Sequence, residues 1–163
     1  MADYAKILVT TDFSERALAG VRHAADLARR LGSTVVLLYV IEDELPPLMI
    51  GVSEERRREI LEQHRERAAG ELVGYATEHL AEVPVRPEVV IGPAARQIVE
   101  TAREEKVDLI VMASRGYGPL GQVLLGSTTE RVLNHAPCPV LVVRDGVRGR
   151  RTEERVATSS EEP

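Results

Sequence analysis

The sequence predicts an α/β fold: an open five-stranded parallel sheet in the order 3-2-1-4-5, with helices on both faces (Rossmann-like). Three observations favour this fold. Short segments rich in valine, isoleucine and leucine alternate with helical patterns, most of these segments run apolar without polar alternation, and 163 residues suffice for one core. Because parallel strands need crossover connections, this alternation indicates a doubly wound sheet.

Five segments are predicted to be strands because they are short, apolar and bounded by turn residues. One of them, residues 83–90, contains two prolines and polar breaks, which favours an edge of the sheet. The predicted strands are residues 6–11, 34–41, 83–90, 107–113 and 138–143.

Helical patterns with apolar residues three and four positions apart lie between the strands. Ser53, followed by two glutamates, is typical of a helix N-cap, and the last helix is expected to begin near Gly126. The residues predicted to face inward are Leu18, Val21, Ala25 and Ala28 in the first helix, Leu61, Ala68, Leu72, Tyr75 and Leu80 in the second, and Ala95, Ile98, Val99 and Ala102 in the third.

Composition limits the classes of function. Residues 1–144 are predicted to form one domain and residues 145–163 a flexible C-terminal tail, which has almost no large apolar side chains. No apolar run approaches the roughly 20 residues of a membrane span, and we expect a cytoplasmic protein because neither a secretory signal nor a disulfide framework is evident. The net charge of -5 without a basic, aromatic face argues against nucleic acid as the main partner.

The segment GYGPLGQVLLGS, residues 116–127, is the first candidate for a ligand site, and it begins with the dinucleotide fingerprint G-x-G-x-x-G. That fingerprint belongs to the first strand-to-helix turn and needs an acid about 20 residues further on. Here it follows the fourth predicted strand, and position 136 is alanine. A P-loop is excluded too, because Gln122 and Val123 occupy the places of its lysine and its serine or threonine.

A looser phosphate site fits the segment, because Gly126, Ser127 and Thr128 open the next helix and helix N-termini bind anions. Alternatively, Ser127 only caps that helix and the glycines only turn the chain. Asp12 directly follows the first strand, so in the order 3-2-1-4-5 it would face the Gly116 loop across the crevice where the strand order reverses. The alternative for Asp12 is a cap for the following helix.

From about residue 4 to residue 144, the chain resembles the universal stress protein family. ILVTTDFSERALAGVRHAADLA resembles the family's first strand, aspartate turn and first helix, VVLLYVIED its second strand, and LIVMASRGYGPLGQVLLGSTTERVLNHAPCPVLVVR its closing signature. The pattern of nucleotide-binding members, G-x2-G-x9-G followed by Ser or Thr, falls on Ala113, Gly116, Gly126 and Ser127. Ala113 replaces the first glycine, but a residue at a strand end needs no positive φ and can keep the same backbone.

The resemblance implies a protein that binds ATP or another adenine nucleotide, with Mg2+ or Mn2+ held through the phosphates. Asp12 would bind the ribose and the backbone of Val40 would meet the adenine, while Gly126 and the residues after it would hold the outer phosphates. The nucleotide-binding residues implied are Thr10, Asp12, Val40, Ala113, Ser114, Arg115, Gly116, Gly126, Ser127, Thr128 and Thr129.

No catalytic residue and no metal site built from side chains are predicted, because the four histidines lie on predicted helices at separations that make no ligand pair. Any ATP hydrolysis is therefore expected to be slow. The protein is interpreted as a nucleotide-binding, dimeric regulator of a stress response whose downstream protein partner the sequence does not indicate. The alternative is a dimeric interaction scaffold with an empty crevice.

The last strand, CPVLVVR, is expected at a sheet edge, yet it is apolar and carries none of the charges or bulges that guard exposed edges. We therefore expect it to pair antiparallel with its own copy in a homodimer. The alternative is an edge shielded by the protein's own loop or tail.

Overall fold

The computed structural model describes residues 4–42, 51–114 and 125–144, and in these ranges strands and helices alternate as the sequence predicts. The elements are β1 (Lys6–Thr11), α1 (Glu15–Leu31), β2 (Thr34–Ile41), α2 (Glu54–His79), β3 (Val85–Ile91), α3 (Ala94–Glu104), β4 (Leu109–Ala113), α4 (Ser127–His135) and β5 (Val140–Val143). The five strands form one parallel sheet in the order β3-β2-β1-β4-β5. The predicted fold class is confirmed.

The predicted bounds are right for β1 and β2, whereas β3, β4 and β5 each begin two residues later than predicted. The Val83 N–H donates to the Leu80 carbonyl at 3.1 Å, and the Val107 N–H donates to the Ala102 carbonyl at 3.1 Å. Both residues are therefore still bonded to the end of the preceding helix. Before β5, Pro139 has no N–H to offer a neighbouring strand.

Two cores lie on opposite faces of the sheet because successive strand residues point to opposite sides. Ile7 and Val9 pack with α1 and α2, whereas Leu8 packs with α3 and α4. Most of the helical residues predicted to face inward are buried; the exceptions, which are only partly buried, are Leu61, Tyr75 and Ala95. Leu61 lies in the first half of α2, where no residue from 54 to 67 is buried.

Side-chain caps fix where α1 and α2 begin. The Ser14 hydroxyl accepts from the Ala17 N–H at 3.2 Å, and the Ser53 hydroxyl accepts from the Arg56 N–H at 3.3 Å, which confirms the predicted cap of α2. At the other end of α1, Gly32 has φ 70° and ends the helix in the left-handed conformation that glycine adopts without strain.

β3 and β5 form the two edges of the sheet, and the prediction that β3 lies at an edge is confirmed. Val140, Leu141 and Val142 of β5 are partly exposed. Within the described ranges, no helix is both long enough and apolar enough to cross a membrane. The predicted C-terminal tail, residues 145–163, lies outside those ranges.

Candidate functional site

A cavity of about 570 Å³ opens at the carboxyl ends of β1, β2 and β4, on the side of the sheet that α3 and α4 cover. We call this cavity the cleft. It lies where the strand order reverses, which is the usual place of a ligand in an open α/β sheet. The predicted site residues that line the cleft are Thr10, Asp12, Val40, Ala113, Ser114, Gly126, Thr128 and Thr129.

The turn from β1 into α1 presents Asp12 to the cleft. Its Oδ1 accepts from the Ser14 N–H at 3.0 Å and from the Ser14 hydroxyl, and Ser14 is the N-cap of α1. The interpretation of Asp12 as the cap itself is therefore wrong, since Asp12 supports the cap from two residues away. Asp12 is exposed, and its Oδ2 accepts no hydrogen bond from the described part of the chain. One carboxylate oxygen is thus available to a ligand.

Phe13 locks this turn from the opposite side of the sheet. It has φ 62°, a left-handed conformation that is uncommon for a bulky residue, and its N–H donates to Thr11 Oγ1 at 3.0 Å. Its ring contacts Tyr39 at a centroid distance of 4.8 Å and Tyr75 at 5.4 Å. The Phe13 ring is therefore held away from the cleft. Asp12, the first residue after β1, lines the cleft and can reach a ligand there.

Ala113, which stands in place of a pattern glycine, has its methyl group on the α1 side of the sheet. A Cβ built on Gly20 of α1 would lie 3.7 Å from the Ala113 Cβ and 3.4 Å from the Ala113 N. The methyl group of Ala113 therefore lies next to Gly20 of α1, where even a Cβ at position 20 would make only ordinary van der Waals contact. Ala113 therefore lines the cleft without filling it.

The N-terminus of α4 also reaches the cleft. Gly126 is its N-cap, with φ -70°, and among the described residues no side chain caps the first turn. The alternative in which Ser127 caps the helix is therefore wrong: Ser127 is the first helical residue, is exposed and is not among the described residues that line the cleft. The unpaired N–H groups of this turn make the helix end a favourable place for an anion. Two further predicted residues, Arg115 and Gly116, lie outside the described residues.

Comparison with known proteins identifies the family of the chain. A model of the universal stress protein family matches residues 3–144. The chain belongs to the universal stress protein family. Universal stress protein MJ0531 of Methanocaldococcus jannaschii is 34% identical over 143 residues, which cover 86% of this chain and 82% of that protein.

Two solved structures extend the family relationship to the fold. The structure of MJ0577, a universal stress protein of the same organism, has a TM-score of 0.71 and 34% identity, and the match covers 87% of this chain and 96% of that one. A universal stress protein in complex with cAMP has a TM-score of 0.56 and 25% identity, and the match covers 86% of this chain and 97% of that one.

The cleft of this universal stress protein contains residues that the sequence reasoning missed. Glu42 directly follows β2, as Asp12 follows β1, and its Oε1 accepts from the Ala94 N–H at 3.3 Å at the start of α3. Asp12 was selected because it directly follows a strand, and the same criterion could have selected Glu42. Leu38, Ile98 and Met112 give the cleft an apolar wall, but in the sequence they look like ordinary core residues.

Cys138 and the four histidines lie outside the cleft. Burial raises the pKa of the Cys138 thiol, and the Asp108 carboxylate raises it further, so Cys138 is a poor nucleophile. None of the histidines lines the cleft. In the described part of the chain, no three histidine, cysteine or acidic side chains are grouped so as to hold a metal ion.

Proposed function

We propose that this universal stress protein binds an adenine nucleotide, ATP in the first place, in the cleft and acts as a dimeric regulator in the stress response. The observation that carries the proposal is the meeting of two groups in one cleft: the exposed carboxylate of Asp12 and the uncapped N-terminus of α4. A carboxylate suits ribose hydroxyls and a helix N-terminus suits phosphate, so the pair favours a nucleotide over a purely apolar ligand.

The adenine is assigned to the apolar wall, beside the backbone of Val40 and the side chains of Leu38 and Met112. Asp12 Oδ2 accepts from the ribose, because Oδ1 is already bonded to Ser14. The other residues assigned to the nucleotide are Thr10, Ala113, Ser114, Arg115 and Gly116 near the ribose and first phosphates, and Gly126, Ser127, Thr128 and Thr129 near the outer phosphates.

A divalent ion, Mg2+ or Mn2+, is assigned to the phosphates and not to protein side chains. Phosphate oxygens and water are the ligands that Mg2+ prefers in nucleotide sites. Asp12 is the one acidic residue of the β1–α1 turn in the cleft wall, and Glu42 is bonded to the N-terminus of α3. Among the relatives, the universal stress protein in complex with cAMP supports an adenine nucleotide as ligand, though not ATP in particular.

Mass spectrometry of small molecules released from the purified protein, followed by calorimetry with ATP, ADP, AMP and cAMP, tests this proposal. We expect an adenine nucleotide to bind with one site per chain, and ATP to bind more tightly than AMP because its outer phosphates reach α4. Absence of both released nucleotide and measurable binding would contradict the proposal. That result would favour the second candidate, a nucleotide-free interaction scaffold.

The proposed dimer forms through β5, which is an edge strand with partly exposed Val140, Leu141 and Val142. Unpaired backbone groups on an apolar edge favour pairing with a second copy about a two-fold axis. Light scattering at micromolar concentration should report a dimer, and Val142→Pro, which removes a backbone donor, should yield monomers or aggregates. A monomeric wild-type protein at that concentration would exclude edge pairing. A cytoplasmic location, expected from the sequence, belongs to the same proposal.

A further inference from the structure

A groove of about 640 Å³ runs between α3 and α4 and adjoins the cleft. Glu42, Ala94 and Thr128 line both spaces, so the two meet at the N-terminal ends of α3 and α4. Each space alone has a volume within the range of about 300 to 1,000 Å³ that is typical of small-molecule sites. One ligand could therefore occupy both.

Three arginines, Arg96, Arg103 and Arg131, line the groove, although the chain as a whole has a net charge of -5. Arg96 pairs with Glu100 at 2.7 Å, and Arg103 donates one hydrogen bond to the His135 carbonyl at 3.2 Å. The Arg131 carbonyl lies 2.8 Å from His135 Nδ1, whereas the Arg131 guanidinium makes no ion pair and donates no hydrogen bond within the described ranges. Guanidinium groups offer five donors each, so donors remain for an anionic ligand.

The groove is not purely polar. Ile91, Pro93 and Val99 line it together with the arginines. An apolar surface beside guanidinium groups suits a flat, aromatic base, because arginine stacks on aromatic faces while its charge attracts nearby phosphate. A simple anion would use only the arginines, whereas a nucleoside attached to phosphate would use both kinds of surface.

We propose that the groove binds the second nucleoside of a dinucleoside polyphosphate whose first nucleoside occupies the cleft; the inference rests on the proposed nucleotide site. The phosphate chain passes Thr128 on the α4 side of the junction. Glu42, the acidic residue shared by the two spaces, bonds through Oε1 to the Ala94 N–H at the start of α3. Because the Glu42 carboxylate occupies the N-terminus of α3 and repels phosphate, the phosphate chain lies next to the positive end of α4. The arginines lie along the rest of its path.

Calorimetry with the full chain tests the proposal, with ATP, diadenosine tetraphosphate and inorganic tripolyphosphate as the probes. We expect diadenosine tetraphosphate to bind at least about five-fold more tightly than ATP, because a second linked contact adds affinity without a second loss of free motion. Tripolyphosphate alone should bind much more weakly than either.

Arg131→Gln is the decisive variant because Arg131 lines the groove and not the cleft. It should weaken diadenosine tetraphosphate by about five-fold or more, the loss expected for a charged hydrogen bond, and leave ATP affinity within about two-fold. Arg67→Gln on the exposed surface of α2 removes the same charge away from the groove and should change neither affinity. Thermal unfolding should be the same for both variants, and Arg103→Gln repeats the test at a second position.

Four results would overturn the proposal. Equal affinities of the wild-type protein for ATP and diadenosine tetraphosphate would mean that the groove adds nothing, while the nucleotide site stands. If Arg131→Gln and Arg67→Gln lower the affinity for diadenosine tetraphosphate equally, the arginines act only through the overall charge of the protein. If Arg131→Gln weakens tripolyphosphate binding as strongly as it weakens diadenosine tetraphosphate binding, the groove does not bind a nucleoside. Failure of ATP itself to bind would contradict the proposed function as well.

Discussion

At the carboxyl end of the sheet, the two faces differ sharply although the same strands build both. On the α1–α2 side, the rings of Phe13, Tyr39 and Tyr75 fill the space; we call this the closed side. On the α3–α4 side, the open side, the neighbouring strand positions Thr10 and Val40 line the cleft. Since adjacent residues point to opposite faces, large residues on one side and small ones on the other decide where a ligand can enter.

The largest expected effect comes from filling the open side at the N-terminus of α4. Gly126 has φ -70°, which valine adopts without strain, so Gly126→Val should keep α4 while its side chain occupies the place of the outer phosphates. We expect ATP binding to be lost in calorimetry. A folded Gly126→Val protein with wild-type affinity would remove the phosphates from this helix end.

On the closed side, Phe13→Ala should lower the free energy of unfolding by roughly 2 to 3 kcal/mol, less than for a fully buried ring because Phe13 is only partly buried. Phe13→Gly loses the same ring contacts but relieves the positive φ, so it should be less destabilised than Phe13→Ala by about 1 kcal/mol. Chemical denaturation measures both. If Phe13→Gly is the less stable variant, the left-handed backbone does not exist in solution.

Asp12 connects the two sides, because its turn is locked by Phe13 and its carboxylate lies in the cleft. Asp12→Ala should weaken ATP binding by roughly 1 to 3 kcal/mol, the range for losing a hydrogen bond to a charged group. Asp12→Asn is the matched control: its amide oxygen still accepts from the Ser14 N–H but its amide nitrogen only donates, so a loss of affinity in both variants points to the free carboxylate oxygen and not to the α1 cap. Unchanged affinity in a folded Asp12→Ala protein would leave Asp12 with only its support of the α1 cap.

The smallest effect concerns the Tyr75 hydroxyl, which is buried without a hydrogen-bond partner in the described structure. The nearby Thr11 hydroxyl favours ionisation of Tyr75, but it accepts from the Phe13 N–H and does not meet hydrogen-bond geometry with Tyr75. Removing an unsatisfied hydroxyl costs little, so Tyr75→Phe should change the free energy of unfolding by less than about 1 kcal/mol, in the stabilising direction.

The same hydroxyl gives a pH test. Burial raises the pKa of Tyr75 above its usual value of 10.0, and the carboxylates of Glu15 and Asp12 raise it further. A raised folded-state pKa means that stability is complete below the unfolded value and is lost as the pH rises above it. Tyr75→Phe should therefore lose less stability than wild type above about pH 10. If urea titrations show the same loss of unfolding free energy in wild type and in Tyr75→Phe above about pH 10, folding does not raise the pKa of Tyr75.

Most of the fold could be predicted from the sequence, because apolar runs and helical spacings record burial directly. The starts of β3 and β4 could not, since Val83 and Val107 are apolar but bond to the preceding helix ends. Asp12 of the cleft was predictable from its place after a strand. The role of Phe13, on the other side of the sheet, was not, because no local sequence pattern predicts a phenylalanine in the left-handed region.

The contact between Gly20 and Ala113 has a consequence for inheritance. The strand position carries a methyl group and the helix position carries none, so the two residues share one small volume. Alanine at position 20 would make only ordinary contacts, at 3.7 Å with the Ala113 methyl group and at 3.4 Å with the Ala113 N. Because two of the three nearest atoms belong to the β4 backbone, glycine at the strand position would not free the helix position to grow, and position 20 should stay small in all lineages that keep this packing.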